Sequence, residues 1–265
     1  MTNAATFGQQ AETYAHARPG YPDALYDWIA ANSPACESVW DAGTGSGQAA
    51  RDLAARFSRV HATDNSPAMI AQAEPHSRIG YHVADARASG LPEASVDAIC
   101  AATAVHWFAE PDFWAEVERV GKPGALFCAW TYQLPRIVTD GGDDFLPRVL
   151  ELIDPYWADG NRICQAGYSA ANLHCPLPVI ETPDFNASVR WQARQLAGFV
   201  RSWSAHLRAR RDGLEAELAA LEADFLRAHG EVLLRVQLPI SAFGARLSAS
   251  LRRAGTAAPG LGRGF

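Results

Sequence analysis

Three glycines at alternate positions, Gly43, Gly45 and Gly47, follow directly on an apolar stretch at 38–42 and precede a run free of helix breakers. A chain that leaves a strand and re-enters as a helix this sharply needs residues that accept positive φ, and the missing side chains let a ligand lie against bare backbone. The turn sits in a repeating rhythm. Strands are expected at 38–42, 59–64, 80–84, 96–101 and 125–130, and helices at 48–57, 67–73 and 112–120, which is the alternation of a parallel sheet. The runs at 96–101 and 125–130 are almost wholly apolar, as central strands covered on both faces must be. With two closing strands at 185–191 and 232–240 the expected fold is α/β: doubly wound and Rossmann-like, with a seven-stranded, mostly parallel sheet.

Residues 1–35 hold two helices, 9–17 and 23–32, parted by ArgProGlyTyrPro (18–22), whose prolines restrict the residues before them. They are expected to form an N-terminal helical lid. The core occupies 36–132. Between 133 and 183 the rhythm breaks into a Pro- and Gly-rich stretch around one helix at 143–153, an insertion expected to make a mainly helical cap over the strand ends. Helices at 195–210 and 213–229, with the closing strands, complete the same domain over 184–243. In the second helix Leu214, Leu218, Leu221 and Phe225 recur at helical spacing, the pattern of a core-facing stripe. The Gly-, Ala- and Arg-rich residues 244–265 read as a loose tail.

Composition narrows the class of partner. A net charge of −6 gives no global attraction to phosphate backbones or anionic lipid, so nucleic-acid and membrane partners are not expected. Lys122 is the only lysine among the cations, a bias that reads as codon usage in a GC-rich bacterial genome. The five cysteines are odd in number and form no C-x-x-C pair, so they read as buried free thiols. The first residues carry neither a basic nor an apolar leader pattern, and no 18-residue stretch stays apolar. A cytoplasmic monomer or homodimer is the expectation.

The acids downstream of the glycines say what the turn holds. Asp64 closes the second strand, 21 residues after Gly43, where a carboxylate accepts hydrogen bonds from the ribose hydroxyls of an adenosine ligand. Two adenosine ligands share that geometry. A nicotinamide dinucleotide calls for G-x-G-x-x-G, and Gln48 stands in the place of its last glycine. Asp41, two residues before Gly43, would repel a diphosphate and attract an ammonium. The balance favours S-adenosyl-L-methionine, with S-adenosyl-L-homocysteine as product and no metal. Asp85 ends the third strand, where a carboxylate can accept from an adenine amine.

These motifs resemble those of the class I S-adenosylmethionine-dependent methyltransferases, and within them the small-molecule branch of trans-aconitate methyltransferase-like proteins. The resemblance rests on DAGTGSG (41–47), TDNSPAMI (63–70), ADA (84–86), AVHWF (104–108) and RVGKPGAL (119–126), with looser likeness at Phe7, Tyr14, 18–22 and SWSA (202–205). It implies that Asp41, Gly43 and Gly45 hold the methionine end, Asp64 with the adjoining Asn65 the ribose, Met69 one adenine face, and Asp85 with the backbone of Ala86 the adenine edge. It also implies that the N-terminal helix folds over the cofactor and places Tyr14 and Arg18 near the reacting end. A guanidinium there would clamp a carboxylate.

Methyl transfer from a sulfonium needs alignment more than it needs a base. A carboxylate acceptor requires none at neutral pH, whereas a hydroxyl or an acidic carbon would benefit from a histidine. His106 is the candidate, flanked by Trp107 and Phe108, whose rings could wall the site or fill core. The turn at 101–105 lacks the Asn/Asp-Pro-Pro-aromatic pattern of amino-methylating nucleic-acid enzymes. The expected activity is methyl transfer to a small organic acceptor, most readily at a carboxylate or hydroxyl oxygen. A nicotinamide-dependent oxidoreductase and a non-catalytic S-adenosylmethionine-binding protein are the alternatives.

Overall fold

The computed structural model describes residues 20–138 and 144–249. The expected helix 9–17, with Tyr14 and Arg18, lies outside them, as does most of the expected tail. Five strands, β1 (Ser38–Ala42), β2 (Arg59–Asp64), β3 (Ile79–Val83), β4 (Val96–Ala102) and β5 (Gly121–Tyr132), run parallel in the order β3-β2-β1-β4-β5. The connecting helices are α1 (Asp23–Asn32), ahead of β1, then α2 (Gln48–Leu53), α3 (Pro67–Ile70) and α4 (Pro111–Val120). Side chains on successive strand residues point to opposite faces. Val39, Cys100 and Leu126 pack in one layer with Leu25 and Ile29 of α1 and Leu53 of α2, while Trp40, Ile99 and Phe127 pack in the other with Phe113 and Val117 of α4. Each such side chain, fully buried, contributes roughly 1.5–3 kcal/mol. The sheet is therefore doubly wound, and its strand order reverses between β1 and β4.

Beyond β5 the sheet turns antiparallel. The strands β6 (Arg136–Val138), β7 (Val179–Ile180) and β8 (Phe185–Gln192) all pair with β9 (Leu233–Arg246), and β9 pairs with β5. Seven strands follow one another as β3-β2-β1-β4-β5-β9-β6, and with β7 and β8 on β9 the sheet has nine, two more than expected. Both additional strands come from the 133–183 insertion. That stretch also carries two helices, α5 (Phe145–Ile153) and α6 (Asp159–Ala166), where one was expected.

The expected tail begins too early. Gly244, Ala245 and Arg246 are strand residues opposite Cys128, Phe127 and Leu126. The missing side chain at Gly244 reflects crowding: a Cβ there would lie 2.8 Å from the Trp28 ring and 2.8 Å from Thr182 Oγ1. The expected helix 195–210 is also divided, into α7 (Ala193–Arg201) and α8 (Ser204–Ala209), and a π-helical segment, Arg210–Leu214, leads into α9 (Glu215–His229). Within that segment Gly213 takes φ +105°. The apolar stripe of α9 behaves as read, with Leu218, Leu221 and Phe225 buried and Phe225 stacked on Phe145 at 4.2 Å. All five cysteines are free thiols, and among the described residues no helix is long and apolar enough to cross a membrane.

His206 of α8 is 4% exposed and its Nδ1 has no hydrogen-bond partner among the described residues. Burial, with Arg210 and Arg201 adding to it, lowers its pKa to about 4, whereas the unfolded chain titrates near ~6.5. Between those values the unfolded state binds the proton and the folded state does not, so this histidine costs stability as pH falls. In melts at successive pH values, wild type is expected to lose ground to His206→Leu from about pH 6.5 down to about 4, and no further below that. A pH-independent difference between the two would show that the histidine takes up its proton in the fold as readily as in the unfolded chain.

Candidate active site

The carboxyl ends of β1, β2, β3 and β4 open on a cavity of about 250 Å³. Open α/β sheets take ligands at such an edge, where the strand order reverses. Its floor is the glycine turn. The amides of Gly43 and Thr44 both donate to the Thr63 carbonyl, at 2.8 and 2.9 Å, which draws the turn across the end of β2. Gly43 takes φ +72°, and a Cβ there would lie 2.7 Å from Ala104 Cβ. Gly45 takes φ +57° on the cavity surface, with Met69 Cε 3.1 Å from where its Cβ would be. No other residue type meets both the dihedral and the space.

Asp64 ties this turn to the next one. Its Oδ2 accepts from the Gly45 amide and its Oδ1 from the Ser66 amide, each at 2.9 Å, and the carboxylate lines the cavity. Each oxygen keeps a further lone pair for a ribose hydroxyl. Asn65, Met69 and Ala86 also line the cavity. Asp85 does too, but its carboxylate is already held by Arg87, through the backbone amide at 2.8 Å and the guanidinium at 2.7 and 2.9 Å. The Arg87 hydrogen bond holds the Asp85 carboxyl below the usual carboxylate range. At the place expected for the adenine edge the cavity therefore presents an Asp85–Arg87 pair rather than a lone acid.

Asp41 lies beneath the turn, fully buried and off the cavity wall. Thr44 Oγ1 donates to its Oδ2 at 2.6 Å, and its Oδ1 has no partner among the described residues. Burial pushes its carboxyl up to about 7; the Thr44 hydroxyl works against that and Asp64 adds to it. An orphaned carboxylate oxygen under a glycine cradle complements an ammonium group lodged over the turn. The residues present thus fit a ligand with an amino-acid end and an adenosine end.

His106 departs from expectation. The 3₁₀ turn Val105–Trp107 puts Trp107 on the cavity wall, together with Phe108, but His106 is not a lining residue. Its Nδ1 is directed to Tyr168 Oη, at 2.7 Å. Among the lining residues to which the sequence reading gave no role are Tyr21, Arg87 and Thr103. Tyr21 stacks on Tyr132 at 4.5 Å and its hydroxyl bonds that of Thr103 at 2.9 Å. Thr103 itself takes φ +50°, a left-handed conformation that costs a β-branched residue ~1–3 kcal/mol. Its amide bond to the Trp130 carbonyl, at 2.7 Å, holds it there. Tyr21 stood in a turn that read only as a helix stop, and nothing in the sequence marks Thr103.

A family model described as a methyltransferase domain matches residues 40–129, the span from β1 into β5. The solved structure of a protein assigned as a type II methyltransferase of Anaeromyxobacter dehalogenans is 40% identical, with a TM-score of 0.80, over 87% of this chain and 99% of that one. The chain belongs to the class I S-adenosylmethionine-dependent methyltransferases. This sets aside the nicotinamide reading of the glycine turn. The methyltransferase is also 28% identical over 227 residues to a protein of Dictyostelium discoideum named as a methyltransferase, covering 84% of this chain and 86% of that one. A 4+2 cyclase, SpnF, shares the fold at 17% identity and a TM-score of 0.56, over 93% of this chain and 96% of its own. The scaffold alone does not fix the acceptor.

Two binding experiments follow from the turn. Gly45→Val is expected to weaken S-adenosylmethionine at least tenfold by calorimetry while the protein stays folded; undiminished affinity would remove the turn from the site. An ammonium over Asp41 favours its ionised form, so binding below pH 7 must expel a proton. Affinity should weaken by up to about tenfold per pH unit from 7 toward 5, and Asp41→Asn should bind weakly with little pH dependence.

Proposed function

We propose that this methyltransferase transfers the methyl group to an oxygen of a small organic acceptor, a carboxylate before a hydroxyl. Bound S-adenosylmethionine supplies an electrophilic methyl carbon on a sulfonium. The glycine turn and Asp41 hold its amino-acid end, Asp64 and Asn65 its ribose, and Met69 with the Asp85–Arg87 pair its adenine. Tyr21, Trp107 and Phe108 then exclude water from the reacting end and face it with aromatic rings, which also suit a cationic sulfonium. Holding nucleophile and methyl carbon in line in such a pocket is worth roughly 7–11 kcal/mol.

The observation that carries the choice of carboxylate is the distribution of ionisable groups. The charged residues among the described lining are Asp64, Asp85 and Arg87, all on the side assigned to the nucleoside. The other end offers Tyr21, Thr103 and Trp107, and His106 is engaged with Tyr168. Among the described residues an acceptor that must lose a proton finds no base there, whereas a carboxylate arrives ionised at neutral pH. Arg18, outside the described residues, is proposed as the clamp on that carboxylate, with Tyr14 beside it. A cytoplasmic enzyme without nucleic-acid or membrane partners, monomeric or dimeric, completes the reading.

A labelled-methyl screen of carboxylic acids, phenols and alcohols tests it. Carboxylic acids are expected to be methylated at a rate that stays flat from about pH 6 to 8, and Arg18→Ala to raise the acceptor KM with little change in kcat. Phenols as the preferred acceptors, with a rate falling through a single group near pH ~6.5, would overturn the assignment.

A further inference from the structure

The imidazole of His106 is seated by a segment that no part of the cofactor site requires. Its Nδ1 lies 2.7 Å from Tyr168 Oη and 3.1 Å from Cys164 Sγ. Helix α6 brings Cys164 to the ring, and one turn earlier Gly160 comes close enough that a Cβ there would be 2.9 Å from the Trp107 ring and 3.2 Å from His106 Cδ2. Gly167, at φ +83°, ends α6 and turns the chain so that Tyr168 points back. The Tyr168 amide then donates to the Ser241 hydroxyl of β9 at 2.9 Å. With 6% of its surface exposed, Tyr168 is fixed from two sides, by α6 and by β9.

The direction of the short hydrogen bond follows from the chemistry of the two rings. Burial, with Cys164 and Tyr21 adding to it, holds the Tyr168 phenol well above its ordinary pKa, so it keeps its hydrogen at working pH. A buried O–H must find an acceptor. The Cys164 sulfur, at 3.6 Å, is a weak one. Thr131, which also reaches the phenol and gives its own hydrogen to the Tyr132 carbonyl, offers a hydroxyl oxygen. The imidazole nitrogen is a better acceptor than either, and a phenol oxygen is a poor acceptor because its lone pair is shared with the ring.

We propose that Tyr168 is a positioning residue that donates its hydroxyl hydrogen to Nδ1 of His106 and so fixes the Nε2–H tautomer, making His106 a hydrogen-bond donor rather than a proton acceptor. Titratable groups facing the imidazole include Cys164 and Tyr168, with Tyr21 next to Tyr168. The tautomer stands on this geometry alone; its kinetic consequence rests on the carboxylate reading given above.

The test uses the full chain labelled with 15N-histidine, with two-bond proton–nitrogen spectra recorded at pH 8 and His106 assigned by its loss in His106→Asn. Wild type is expected to show the Nε2–H pattern, with Nδ1 as a hydrogen-bonded acceptor. Tyr168→Phe keeps the shape and removes the phenol donor, so the Nδ1 signal should move away from its wild-type position, with Cys164 Sγ left as its neighbour at 3.1 Å, and the Nδ1–H form should gain population. An Nδ1–H pattern in wild type overturns the proposal, as does a His106 spectrum that Tyr168→Phe leaves unchanged. Should that variant fold poorly, the wild-type spectrum decides the tautomer by itself. With a carboxylic acid acceptor from the screen, Tyr168→Phe is expected to lower kcat about 3–10-fold, the effect of one lost hydrogen bond, leaving S-adenosylmethionine affinity and the flat pH profile unchanged. Loss of that flat profile in wild type, with the Nε2–H pattern present, would overturn the carboxylate reading and not the role of Tyr168.

Discussion

One carboxylate holds the working edge of this sheet together. Asp64 accepts from the amide of Gly45 on the loop after β1 and from the amide of Ser66 on the loop after β2. Two neighbouring strand ends are thereby tied by charge-assisted hydrogen bonds, a kind about twice as strong as neutral ones. The glycine turn can then keep three residues at positive φ without another fastening on its cavity side. Ser66 in turn caps α3 by accepting from the Met69 amide, which sets Met69 against Gly45. The acid proposed to hold the ribose is thus also the brace that shapes this corner of the cavity.

Beneath the turn the design runs the other way. Asp41 is stabilised on one oxygen by Thr44 and left unmatched on the other, and an unpaired buried carboxylate is costly. A cation over the turn would offset that cost, which the fold otherwise carries as electrostatic strain. Thr103 stores a second increment in its backbone. Both lie at the edge where β1 and β4 part, and the parallel core around them is packed on two faces, which lets it carry such local penalties.

How far the sequence could be read tracks how local each determinant is. The five parallel strands and the helix 23–32 rest on contiguous apolar runs and prolines, and they lie within a residue or two of their expected places, save that β5 begins at Gly121. Gly43, Gly45, Asp64, Asn65, Met69, Asp85 and Ala86 reach the cavity because a strand-end position is itself a local property. The misses rest on side-chain rotamers or on contacts distant in sequence. Arg87 engages Asp85 by a side-chain rotamer, Tyr21 meets Thr103 across 82 residues, and His106 is turned by a tyrosine 62 residues away. Gly244 and Ala245 looked like a tail because small residues mark loose ends and tight crossings alike, and only the Trp28 and Thr182 contacts tell the two apart.

The last described strand has a consequence for how the molecule comes into being. β9 is the common partner of β5, β6, β7 and β8, so every strand contributed by the insertion waits on residues 233–246. During synthesis the parallel half, complete by Tyr132, can assemble as its strands emerge, while about a hundred further residues leave the ribosome with no edge to join. The antiparallel half of the sheet therefore forms late, around β9. A chain halted shortly before Leu233 would carry a cofactor site without the strand that seats Tyr168, and its exposed β5 edge would invite pairing with other nascent chains.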